Sequence, residues 1–99
     1  MKYTLKIKNK WMEKIKDGTK KFEYRLADKG FMDITELELI DEDGNSHTYK
    51  AKWYETVKLE FAMEHYHVEI VYALCNYYKY EDLDKYGVAC IEIKEEIKN

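Results

Sequence analysis

Four charged side chains fall close together in the run Gly18-Thr19-Lys20-Lys21-Phe22-Glu23-Tyr24-Arg25. Positions 23 and 25 are two apart, so on a β-strand they share a face. A carboxylate beside a guanidinium stays ionised and is held in orientation. The guanidinium can then grip a phosphate or a base edge through two parallel hydrogen bonds. Glu23 would orient it or accept from a base amine, and Lys20 and Lys21 add positive charge at the mouth of the strand. Strict alternation puts Lys20 on the opposite face, unless the turn before the strand rotates it inward. On an open surface the same pair would contribute only about 0–1 kcal/mol. Arg25 is the one arginine among 17 basic residues. In a chain that uses lysine wherever charge alone suffices, its presence points to a need for the planar fork.

Other residues offer weaker chemistry. Glu64-His65-Tyr66-His67 could bind a metal only on a strand. On a helix the two imidazoles diverge by about 200°, so polar histidines at a helix junction are expected, with no metal and no cofactor. His47, beside a hairpin turn, is expected to be solvated. Trp53 and the tyrosines at 77, 78 and 80 are candidates for stacking on a base, whereas Trp11 reads as a helix-packing residue. Cys75 and Cys90 lie in apolar contexts without a C-x-x-C spacing and read as two buried, reduced thiols.

The chain has 99 residues, 45% hydrophobic and 15% aromatic, which fits a single domain over 1–99 with one modest core. A net charge of −3 argues against a broad, non-specific phosphate binder. The charge is nevertheless uneven. The first 21 residues hold eight lysines against Glu13 and Asp17 alone, a basic face that can steer a nucleic acid. No apolar run reaches the roughly 18 residues of a membrane span, and residues 1–6 lack the apolar block of a signal peptide. A cytoplasmic protein with no membrane partner is expected.

The periodicity supplies elements to hold these residues. Tyr3, Leu5 and Ile7 alternate with polar neighbours, predicting a strand over 3–8. Asn9 is a candidate cap for a helix over 10–17, which Gly18 ends. Strands follow over 20–26, 35–41 and 46–54, the last two joined at Asp43-Gly44. Helices are expected over 56–65 and 67–78, the second with a buried stripe of Val68, Val71, Tyr72, Cys75 and Tyr78. Lys79 to Gly87 reads as a loop, and 88–94 as a final strand buried on both faces. The sum is an α+β fold around a five-stranded, mostly antiparallel sheet or small barrel.

The spacing Gly18-x-Lys20-x-x-Glu23-x-Arg25 resembles the GxKxxExR signature of the ASCH domain superfamily, whose members share the PUA-like barrel fold. Its surroundings are similar too. A strand and a short helix precede the motif. Tyr54-Glu55-Thr56, running into 57–65, resembles that family's fourth strand and first crossover helix, and Tyr86 to Ile93 resembles its last strand. The resemblance spans nearly the whole chain. It implies a PUA-like β-barrel with flanking helices, and a cleft between them that the motif lines, suited to RNA, single-stranded nucleic acid or a nucleoside.

One branch of the superfamily is similar to N(4)-acetylcytidine amidohydrolase and hydrolyses an amide on a modified cytidine. It uses a motif lysine, a threonine three residues on, and a glutamate near the crossover helices. Carried over by position, the lysine is Lys20 and the glutamate falls at Glu64, with Glu60 as an alternative, but Glu23 stands where the threonine should be. A hydroxyl can attack or relay a proton. A carboxylate instead favours the charged form of Lys20, an anchor for an oxyanion rather than a base, and leaves Glu64 to activate a water. Binding of RNA or a nucleotide is the leading expectation. Amidohydrolysis, ribonuclease action and a host-protein-binding module stand as alternatives.

Overall fold

A computed structural model describes residues 1–98. The apolar alternation builds five strands: β1 (Lys2–Lys6), β2 (Phe22–Leu26), β3 (Glu36–Ile40), β4 (Ser46–Val57) and β5 (Val88–Glu96). They form one sheet in the order β1-β3-β4-β5-β2. β1 runs parallel to β3, and every other pairing is antiparallel. β4 is 12 residues long and slips register against β5 between Tyr49 and Ala51 and again between Trp53 and Glu55. Such irregularities bend a strand and raise its twist, so the sheet curls into a half-barrel with β1 and β2 as its two edges. The fold is α+β, as expected.

Four helices accompany the sheet: α1 (Asn9–Lys16), α2 (Leu59–His65), α3 (Val68–Tyr77) and α4 (Tyr80–Tyr86). α1 seats Met12 and Ile15 in the barrel mouth. There they join Phe31, Ile34, Leu37, Leu39, Ala89 and Ile91 in the larger of two core clusters. The smaller cluster lies under α2, α3 and α4 and contains Leu26, Leu59, Ala62, Leu74, Leu83 and Val88. β5 feeds both, which is why residues 88 to 91 are buried on both faces.

Several expectations need correction. Residues 79–87 are not a loop. Lys79 stands at the N-cap position of α4 without a side-chain cap, and Leu83 is fully buried; Glu81 and Asp82 occupy the first turn of the helix and Lys85 its last. Charges placed this way complement the helix dipole; the tyrosines and the short length hid the pattern. The buried stripe of α3 runs through Ile70, Leu74 and Tyr78, whereas Val68, Tyr72 and Cys75 are exposed. So many of its residues are apolar that period alone fixed the wrong face. Cys75 is thus an exposed thiol, and only Cys90 is buried. Asn9 begins α1 rather than capping it. Its amide accepts from the Glu42 N–H and its own N–H donates to the Glu42 carboxylate, tying α1 to the β3–β4 turn. His47 is partly buried and paired with Asp41 at 2.9 Å, not solvated.

Candidate functional site

The end of α1 decides the site's geometry. Gly18 takes φ +84°, and the Lys20 N–H returns to the Lys14 carbonyl at 3.0 Å. This turn rotates Lys20 inward, onto the side of Glu23. The Lys20 ammonium lies 3.5 Å from Glu23 Oε1, and Arg25 Nη2 lies 3.2 Å from Oε2. The side chains of Lys20, Glu23 and Arg25 are only 12%, 8% and 11% exposed. One carboxylate therefore serves two cations in a poorly hydrated place, and the trio carries a net positive charge. Glu23 Oε1 also accepts from the Tyr24 N–H at 3.2 Å. With both its oxygens engaged, Glu23 orients its neighbours.

Arg25 does more than pair with Glu23. Its Nη2 donates to the Lys6 carbonyl at the end of β1, at 2.8 Å. β1 and β2 are the two sheet edges, so the guanidinium bridges the open seam of the barrel. Burial works against its charge, but Glu23 and the neighbouring Tyr78 oxygen outweigh burial and hold its pKa above the ordinary value. Both hydrogen bonds leave from one nitrogen, Nη2, so a single end of the guanidinium serves the Lys6 carbonyl and Glu23 together.

Above the trio opens a cavity of about 580 Å³, within the usual range for small-molecule sites. β1 and α1 supply one wall with Lys6, Lys8, Lys10 and Trp11; β2 supplies the floor; α3 supplies the facing wall with Tyr72, Tyr77 and Tyr78. Five basic side chains line it against two carboxylates, Glu23 and Glu69. Aromatic rings frame the central cation, the Lys20 ammonium standing 5.4 Å from the Trp11 ring centre and 5.1 Å from that of Tyr24. Lys10 covers Trp11 at 4.8 Å. Tyr72 and Tyr77 are 70% and 64% exposed.

Behind Tyr24 lies a second polar group. The Tyr66 hydroxyl donates to Glu55 at 2.6 Å, and the Tyr66 ring packs on Tyr24 at 5.0 Å. Burial, with the neighbouring Cys90 sulfur and the Glu55 carboxylate, pushes the Tyr24 hydroxyl up to about 12. Burial and Glu55 likewise push the Cys90 thiol up to about 11 and raise Tyr66. These groups stay neutral at ordinary pH, and they hold the Tyr24 ring under Lys20.

A family model described as ASCH domain matches residues 5–97. The chain belongs to the ASCH domain family. The crystal structure of hypothetical protein PH0355 is similar, with a TM-score of 0.66 and 28% identity over 98% of this chain and 100% of that one. The solution structure of Protein PF0455 from Pyrococcus furiosus shares the fold, at a TM-score of 0.62 and 21% identity over 100% of both chains. No curated protein matches the chain in sequence. The family supports a domain of the RNA-binding type. No helix among the described residues is long and apolar enough to cross a membrane.

The structure brings together only part of the expected set. Lys20, Glu23 and Arg25 meet on the cavity floor. Lys21 is exposed and outside the lining; its carbonyl accepts from the Ile93 N–H instead. Trp53 packs against the larger core cluster and donates to the Thr56 hydroxyl at 2.8 Å. Glu64 and Glu60 are exposed on α2, away from the cavity. His65 stacks on Phe61, and His67 caps α3 by accepting from the Glu69 N–H. Sequence reasoning missed Trp11 and Tyr24 as site residues, along with Tyr72. Trp11 packs against the larger core cluster, as expected of a helix-packing residue, and lines the cavity as well; its sequence position carries no signal for that second role.

Proposed function

We propose that this cleft binds single-stranded RNA or a nucleotide-like ligand, with negative charge drawn to Lys20 and Arg25 and a base stacked against Trp11 or the α3 tyrosines. The supporting observation is the mostly buried Lys20–Glu23–Arg25 trio, net positive, at the floor of an aromatic cavity. Phosphate supplies the charge such a floor attracts, and aromatic rings accept any base by stacking. Lys6, Lys8 and Lys10 form no salt bridge among the described residues, so they are available to a backbone. Hydrolysis of an acylated cytidine is the weaker reading, because its water-activating candidate, Glu64, stands outside the cavity.

The two tryptophans make the test specific. In Trp53→Phe the remaining Trp11 should be quenched by a short single-stranded RNA, and the affinity should weaken with salt at a log–log slope of about −2 to −3, as three or four phosphate contacts require. In Trp11→Phe the quenching should vanish. No response of Trp11 to any RNA or nucleotide, together with no binding by anisotropy, would overturn the proposal.

A further inference from the structure

Lys6, Arg25, Tyr77 and Tyr78 line two cavities, not one. Along β1 the larger cavity takes Lys6 and the residues after it, while a second, of about 220 Å³, takes Thr4 to Lys6. Along β2 the larger takes residues up to Arg25, and the second continues from Arg25 to Leu26, Asp28 and Lys29. The hydrogen bond from Arg25 to the Lys6 carbonyl is therefore the wall they share. The second cavity is too small for a whole drug-sized ligand, but three basic residues, Lys6, Arg25 and Lys29, line it against one acidic residue, Asp28.

The backbone of Lys29 is held by a tight turn, and its side chain is exposed. The Phe31 N–H bonds to the Lys29 carbonyl at 2.9 Å, closing a three-residue turn with Gly30 at φ +75°. Phe31 itself takes φ +65°, a region a bulky side chain rarely adopts. Its burial against Tyr3, with ring centres 4.9 Å apart, holds it there. The geometry points to a phosphate subsite. A nucleotide unit occupies the larger cavity, and the phosphodiester of its neighbour passes over the Arg25 bridge to lie between Arg25 and Lys29. The ligand is then a strand rather than a free nucleoside. This rests on the larger cleft being the nucleotide site.

Calorimetric titration with uridine 5′-monophosphate, uridine 3′,5′-bisphosphate and the RNA trinucleotide UUU tests it, on wild type and Lys29→Gln. Lys29 is exposed, so the variant should melt as wild type does. The trinucleotide should bind roughly tenfold more tightly than the monophosphate, and Lys29→Gln should remove most of that difference without changing monophosphate binding. Equal binding of all three ligands, or no selective effect of Lys29→Gln, with the monophosphate still bound, would overturn the subsite alone. Bisphosphate matching the trinucleotide would replace a strand with a terminal phosphate and overturn the strand claim. No binding by any of the three would overturn the cleft assignment and this inference together.

Discussion

At the scale of single residues, the trio ties elements of the fold together, and under the proposed function it also meets the ligand. Sequence alone suggests that Arg25→Lys should remove binding and leave stability intact. The structure changes that expectation, because Arg25 also bridges β2 to the Lys6 carbonyl. Arg25→Lys should lower stability by about 1–3 kcal/mol, the cost of unmade hydrogen bonds in a buried place, and a thermal melt should show a drop of several degrees. An unchanged melting temperature would make the bridge energetically silent. Glu23→Gln separates the two roles in the other direction. It leaves Lys20 and Arg25 without their shared counter-charge and should cost about 3–5 kcal/mol, measured by urea unfolding. If the variant remains folded, its affinity for phosphate-bearing ligands should rise. A fall would mean that Glu23 touches the ligand directly.

At the scale of elements, the sequence disclosed the strands better than the helices. Alternation is unambiguous in Tyr3-Leu5-Ile7 and in Leu37-Leu39, where one face is buried and the other wet. It fails for α3, where nearly every residue is apolar and two faces compete, and for α4, which is too short to show a period. The site inherits this limit. Lys20, Glu23 and Arg25 could be named from spacing, but not the inward rotation of Lys20, which depends on the turn at Gly18. The α3 wall could not be assigned while its buried face was mistaken. Gly87 shows a helix-to-strand junction under tight constraint. It sits at φ +84°, and a Cβ there would come within 2.6 Å of the Val57 carbonyl oxygen. That contact is backbone and cannot move aside cheaply. Gly87→Ala should destabilise the protein by more than about 1 kcal/mol, with a matching loss in melting temperature.

The buried network where β4, β5 and α2 meet carries the pH dependence. Cys90 and Tyr24 have folded pKa values raised to about 11 and about 12, above ordinary values near 9 and 10. Below the ordinary values both states hold these protons, and stability does not change through them. As pH rises past about 9 the unfolded chain loses protons that the folded chain keeps, so stability falls until pH exceeds the folded values. Melting temperatures recorded from pH 7 to 11 should therefore decline from about pH 9 upward, and Cys90→Ala should blunt the first part of the decline. A flat profile over this range would remove the network as its source.

At the scale of the whole molecule, an acidic chain presents one basic cleft. The eight lysines of the first 21 residues are offset elsewhere in the sequence, and four of them, Lys6, Lys8, Lys10 and Lys20, converge on the cavity between β2, α1 and α3. That concentration of charge lets a net-negative protein attract a polyanion at one place and repel it elsewhere. The central claim is that this cleft is where the ligand goes. Amide chemical-shift mapping of the labelled protein, titrated with a short single-stranded RNA, tests it most directly. Shifts should concentrate in residues 6–11, 20–25 and 68–78 and leave the β3–β4 turn and Trp53 unmoved. Shifts spread over the outer sheet, or none at saturating RNA, would contradict it.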